Sequence, residues 1–230
     1  MNNYLSLWTA IPIALSISGL SWADTAQTVA AQCASCHAIE RPDYETLGRD
    51  ERVRRVAPPL YFAGNKYREQ WLLGFLQAPS TLYAAGYFPD HKLLDSAEGD
   101  LPNESALTNH ISLSEAEAKE VTDFLMELRP FDQLIKNDSY TEGKVAKRMG
   151  TMDFRKFKGC DACHQDDTGN GGLSGPRLYD AWIRLQPKYI ASFLKNPLQW
   201  DPNTLMPVPQ MNEQAAHKLV DYLRILGESE

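Results

Sequence analysis

The first 23 residues contain no Lys, Arg, Asp or Glu. A positive balance is missing from the whole chain: 23 Lys and Arg stand against 30 Asp and Glu, a formal net charge of −7. Nothing in that balance suggests nucleic-acid binding, which wants a basic face, so no nucleic-acid partner is expected. Beyond residue 23 there is no apolar run near the roughly 20 residues that span a bilayer. Methionine is absent from His37 until Met126, and cysteine occurs only four times. A hydrophobic content of 43% excludes a disordered chain and is enough for packed cores.

The uncharged start has the layout of an export signal. Its apolar run covers Leu5 to Leu20, and Ser21 and Ala23 occupy the −3 and −1 places of a cleavage site before Asp24. A basic n-region is missing, which leaves only the terminal amine as a positive charge. The competing reading is an uncleaved anchor, but the run is short and Pro12 interrupts it. Residues 1–23 are therefore expected to be removed. The mature chain is expected in the periplasm, with no membrane span. Its charge is uneven. Residues 24–130 hold 10 Lys and Arg against 17 Asp and Glu, while residues 131–230 hold 13 of each. Such asymmetry gives the molecule a dipole that can orient a partner.

The cysteines form two pairs, each followed at once by histidine: "CASCH" at 33–37 and "CDACH" at 160–164. Two C-x-x-C pairs can make a four-thiolate zinc site, a pair of redox disulfides, or two c-type haem attachments. With only five histidines in 230 residues, both placements arising by chance are improbable. Zinc ribbons space their pairs roughly 15–20 residues apart, far closer than here. The haem reading uses every residue. Cys33, Cys36, Cys160 and Cys163 would bond the vinyl groups of two covalently bound haem c, and His37 and His164 would be the proximal iron ligands.

The surroundings of the motifs repeat. At a shift of 118 residues, Pro58, Leu60 and Tyr61 meet Pro176, Leu178 and Tyr179. Phe75, Leu76 and Pro79 meet Phe193, Leu194 and Pro197, and Phe88-Pro89 meets Met206-Pro207. Nearer the end of each half the shift becomes 98, laying "LSEAEAKEVTDFLMEL" (113–128) on "MNEQAAHKLVDYLRIL" (211–226). Both are amphipathic at helical spacing, and Ser114 with Glu117 makes a capping box for the first.

This order of parts resembles the class I cytochrome c family across nearly all of residues 24–228. The fold expected from the resemblance is all-α, with two tandem class I cytochrome c domains, each a small helical bundle around a covalent haem. The domains would be 24–130, with an inserted loop at about 89–112, and 131–230. The function implied is one-electron transfer between periplasmic redox partners, a donor dehydrogenase and an acceptor cytochrome or oxidase. The alternative is a haem enzyme, a peroxidase or sulfur-compound oxidoreductase, with its chemistry at the first haem.

The distal ligands separate the halves. Class I domains usually bind iron through a methionine sulfur, and Met206, in the "LMP" loop, fits that place in the second half. Met211 is its rival, but it starts the last helix and suits packing better. The first half has Phe88 where the second has Met206. Met126 aligns with Arg224 and is expected to face solvent. His91 and His110 flank the insert, and either can take over the iron bond. Counting back from the last helix favours His110. An open site, Lys92 or a tyrosine are the remaining options. His217 reads as a solvated helix residue. The six basic residues of 144–158 read as a solvated face or a docking patch, and "ERVRR" (51–55) as a partner for haem propionates. The glycine-rich 166–176 stretch lacks the helix context of a phosphate loop.

Overall fold

The computed structural model describes residues 22–48, 51, 57–80, 93–94, 101–103, 105 and 109–229. Most of the expected signal, the arginines of "ERVRR", Phe88, His91 and Lys92 lie outside the described residues. The described chain is mostly helical, and its strands form only two minimal antiparallel pairs. None of its helices is long and apolar enough to cross a membrane.

The first half contains α1 (Trp22–Cys33), a single turn α2 (Ala63–Lys66), α3 (Glu69–Gln77) and α4 (Glu115–Met126). Within the insert, β1 (Leu93–Leu94) pairs with β2 (Leu101–Pro102). A connector helix α5 (Asp132–Lys136) leads to the second half. There α6 (Lys147–Met152) runs into a π-helical turn at Asp153–Phe157 and a 3₁₀ turn at Cys160–Ala162. A hairpin of β3 (Gln165–Asp167) and β4 (Asn170–Gly171) follows. The chain ends with α7 (Ala181–Arg184), α8 (Pro187–Lys195), α9 (Pro197–Trp200) and α10 (Glu213–Gly227). Helix α1 starts at Trp22, ahead of the expected cleavage point, and the Trp22 ring packs 4.9 Å from that of Phe124 on α4.

Local chemistry explains the helix ends. Ser114 accepts from the Glu117 N–H, and the Glu117 carboxylate accepts from the Ser114 N–H, so two orphan donors are satisfied. On α10 the Asn212 side chain accepts from the Ala215 N–H at 2.9 Å. Pro187 and Pro197 begin α8 and α9, where a missing N–H costs nothing. The apolar stripe of α10, Leu219, Val220, Leu223 and Leu226, is buried. Each such side chain contributes about 1.5–3 kcal/mol.

The two shifts seen in the sequence map helix onto helix. α2 and α3 recur as α7 and α8, and α4 recurs as α10. The copies meet along a self-complementary seam. Tyr67 bridges Leu185 in antiparallel fashion. The Arg68 N–H donates to the Arg184 carbonyl at 2.9 Å, and the Gln186 N–H donates to the Lys66 carbonyl at 2.9 Å. Arg68 Nε donates to the Leu185 carbonyl (3.0 Å), and Gln186 Nε2 to that of Tyr67 (2.8 Å). Each bond is the image of the other under the 118-residue shift, so a local two-fold axis passes through the Tyr67–Leu185 pair. Beside the seam the halves share one aromatic core. Phe62 of the first half lies 5.9 Å from Trp200, and Phe131 of the connector lies 5.2 Å from it.

Gly64 sits where α2 passes under the end of α4. A Cβ there would come within 2.0 Å of the Met126 carbonyl oxygen. Gly74, on the exposed side of α3, has nothing within 4 Å of such a Cβ. Gly64→Ala should therefore lower the unfolding free energy by about 1–3 kcal/mol, and Gly74→Ala should raise it by about 0.5–1 kcal/mol. Urea titrations followed by far-ultraviolet circular dichroism would show these opposite signs.

Candidate functional site

The first C-x-x-C-H forms as α1 runs out. The Cys36 and His37 N–H groups donate to the Cys33 carbonyl at 3.1 and 2.9 Å, winding the motif into one turn. His37 Nδ1 lies 2.7 Å from the Pro58 carbonyl oxygen. A carbonyl only accepts, so Nδ1 carries the proton and the lone pair of the neutral ring is on Nε2. The second motif repeats this arrangement. The Cys163 and His164 N–H groups donate to the Cys160 carbonyl at 3.2 and 3.0 Å, and His164 Nδ1 lies 2.7 Å from the Pro176 carbonyl. Pro58 and Pro176 are the partners under the 118-residue shift. The bond orients a ring and fixes its tautomer, as is usual for metal-binding histidines.

The four cysteines do not converge. Among the described residues no three His, Cys, Asp or Glu side chains gather as a metal site. Burial, then the nearby Asp153 and Asp161, pushes the Cys160 thiol up to about 11, and burial followed by Cys36 also raises Cys33. Burial lowers the pKa of His164, against the Pro176 hydrogen bond, and favours the neutral ring that binds metal.

The glycine-rich 166–176 stretch wraps the second motif. The Gly172 N–H donates to the Asp161 carbonyl and the Gly175 N–H to the Cys163 carbonyl, both at 2.7 Å. A Cβ on Gly175 would stand 2.4 Å from His164 Cε1, so glycine is what lets the loop lie against the ring. Two residues past His164, the fully buried Asp166 carboxylate accepts from Arg155 at 2.7–3.0 Å and from the Tyr222 hydroxyl at 2.6 Å. This ties the motif to the π-helical turn and to α10. Burial, then Asp166, pushes the Tyr222 hydroxyl up to about 12.

On the far side of His37 stands His110. Its chain is pinned to the end of α3: Ser112 Oγ donates to the Gln77 carbonyl (2.5 Å), and the Leu113 N–H to that of Leu76 (2.9 Å). The His110 and His37 ring centres are 6.2 Å apart, with their planes at 68°. His110 also keeps Nδ1 on a carbonyl, that of Ile111 at 2.8 Å. Two imidazoles joined through one metal ion would have ring centres about 6.3 Å apart, from a nitrogen–metal length of roughly 2.0 Å and a ring radius of about 1.15 Å given by bonds near 1.33 Å. The observed 6.2 Å is close to that spacing.

Met206 is half-buried in the irregular loop between α9 and α10, and its N–H donates to Thr204 Oγ1 at 3.2 Å. Met211, just ahead of α10, packs against the aromatic core that the halves share. Two expectations need correction. Met126 does not face solvent: it is half-buried against the apolar cluster of Val29, Leu72, Val121 and Leu125 and lines a groove with Trp71 and Arg129. His217 is not solvated either. Its ring meets that of Tyr140 edge-on at 5.3 Å, and Nε2 lies 3.9 Å from both Asp138 and Glu213, because the connector after α5 folds over this face of α10. In the basic 144–158 stretch Arg155 turns inward to Asp166, while Lys144, Lys147, Arg148, Lys156 and Lys158 are exposed. Pairing of Arg155 with Asp166 was hidden from sequence reading, since nothing in the spacing links them.

Arg155→Met would leave the Asp166 carboxylate buried without its cation. Removing one partner of a buried pair costs about 3–5 kcal/mol, so a loss of that size is expected in denaturant unfolding, with the Asp166→Asn, Arg155→Met double variant recovering part of it.

No family model, curated protein or solved structure matches the chain, so the reading of the site rests on its own residues and geometry.

Proposed function

We propose that the chain is a periplasmic dihaem c-type cytochrome built from two class I-like domains, and that it passes single electrons between a donor dehydrogenase and an acceptor cytochrome or oxidase. The carrying observation is the duplicated C-x-x-C-H whose histidine Nδ1 meets a proline carbonyl at the same point of both repeats, 2.7 Å away each time. Each haem, when bound, supplies the one-electron change at its iron. The protein's part is attachment, orientation and tuning. Cys33 and Cys36 hold one haem and Cys160 and Cys163 the other. The proline carbonyls fix each proximal ring and make it a stronger donor.

The distal ligands differ. His110, standing across from His37, is the ligand proposed for the first haem, and Met206 for the second. A thioether raises the reduction potential relative to a second imidazole. Electrons then run downhill from the first haem to the second. The facing His37 and His110 rings favour a carrier over an enzyme with an open first iron.

Three outcomes are expected of the exported protein. Pyridine haemochrome analysis gives two haems per chain, and redox titration gives two separate waves. Carbon monoxide does not bind the reduced wild type, binds one haem of His110→Ala, and leaves His91→Ala like the wild type. Met206→Leu removes the methionine–iron charge-transfer absorption and leaves the lower wave in place. Two equal high potentials, or carbon monoxide binding to the wild type, would overturn the ligand assignment. A chain that takes up no haem would overturn the function.

A further inference from the structure

The His110 ring is held by more than its own backbone. The Phe75 ring lies 5.0 Å from it at an interplanar angle of 63°, edge against face. Phe75 is stacked on Trp71 (5.0 Å, 25°), and Trp71 on Tyr67 (5.3 Å, 27°). Trp71 and Phe75 are neighbours four residues apart on one face of α3, and Tyr67, in the extended link just before that helix, stacks on the end of the pair. Tyr67 is buried, only 6% exposed, and is the residue that bridges Leu185 at the seam. The ladder therefore begins at a buried residue of the seam and ends on His110. The His37 ring has a separate anchor in the Pro58 carbonyl. Two independent supports thus hold the rings at 68° to one another.

From this we infer that Phe75 is a positioning residue that keeps the imidazoles of His37 and His110, which would both bind the first haem, crossed rather than coplanar. The inference rests on His110 being the distal ligand. An edge-to-face aromatic contact has a preferred orientation and is favourable beyond the area it buries. That biases towards one setting a ring that would otherwise turn about its bond to iron. The twist has an electronic consequence. The filled π orbital of an imidazole lies perpendicular to its ring and raises the iron dπ orbital it overlaps. Coplanar rings raise the same dπ orbital and split the pair. Crossed rings raise one each and leave the pair nearly degenerate. The unpaired electron of the ferric state then keeps its orbital angular momentum, and the low-spin signal becomes strongly anisotropic.

The test uses the oxidised holoprotein with both haems loaded. Near-infrared magnetic circular dichroism reports whether the first haem carries two nitrogen ligands. Electron paramagnetic resonance reports the twist, and the signal lost in His110→Ala identifies the first haem. The expected result is a two-nitrogen charge-transfer band with a strongly anisotropic low-spin signal. Phe75→Leu should shift its largest g-value down to an ordinary rhombic spectrum, and Phe75→Tyr, which keeps the ring, should retain the wild-type signal. A two-nitrogen band with a rhombic wild-type signal, or with a Phe75→Leu signal unchanged from wild type, would overturn the inference and leave the ligand assignment standing. Absence of the two-nitrogen band would remove the assignment of His110, and the role of Phe75 with it.

Discussion

A proline carbonyl 2.7 Å from a histidine Nδ1 occurs twice in this chain, and each half is arranged around it. The bond needs a backbone oxygen with no competing use, held at a fixed height beside the C-x-x-C-H turn. Proline has no N–H to compete for partners and a fixed φ, which narrows the path of the loop that carries the oxygen. The neighbouring backbone then locks the loop down. The Leu60 N–H donates to the Ala38 carbonyl at 2.9 Å, and the Leu178 N–H to the Gln165 carbonyl at 2.7 Å, in each case the residue after the histidine. Ring orientation, tautomer and loop position thus follow from one small set of hydrogen bonds.

Around this shared unit the halves diverge. The second encloses its motif with a glycine-rich hairpin and the Arg155–Asp166–Tyr222 network. The first has a longer connection to its proline and an insert before its last helix. What the halves keep in common is inside: the paired helices, the capped final helix and the seam. What they change lies in the loops: the path from the motif to its proline and the segment before the last helix. Fixed scaffolds with variable loops allow such divergence without disturbing the core.

Much of this was legible in the residues. The 118- and 98-residue shifts mark helix boundaries that recur in the structure, and Ser114 with Glu117 forms the capping box its spacing implies. These features are local or periodic, so one segment carries the whole signal. Counting back from the last helix pointed to His110, and its ring centre lies 6.2 Å from that of His37. The seam was not legible. Tyr67, Arg68, Leu185 and Gln186 meet mainly through backbone groups, which leave no compositional trace. Arg155 looked like one more surface cation because its partner Asp166 lies across a turn. His217 looked solvated because the connector that covers it is not periodic. Each miss is a case of tertiary contact overriding a local pattern.

The seam has the form of an isologous contact, the kind by which two identical subunits build a dimer. Here both subunits are parts of one polypeptide. The linker holds the two surfaces at an effective concentration in the millimolar range for short tethers, so pairing does not depend on how much protein is present. It also removes the demand that the subunits stay identical. In a true homodimer, any substitution in one site would appear in both. In a tethered pair it changes one, and an unequal couple becomes available to a symmetric architecture.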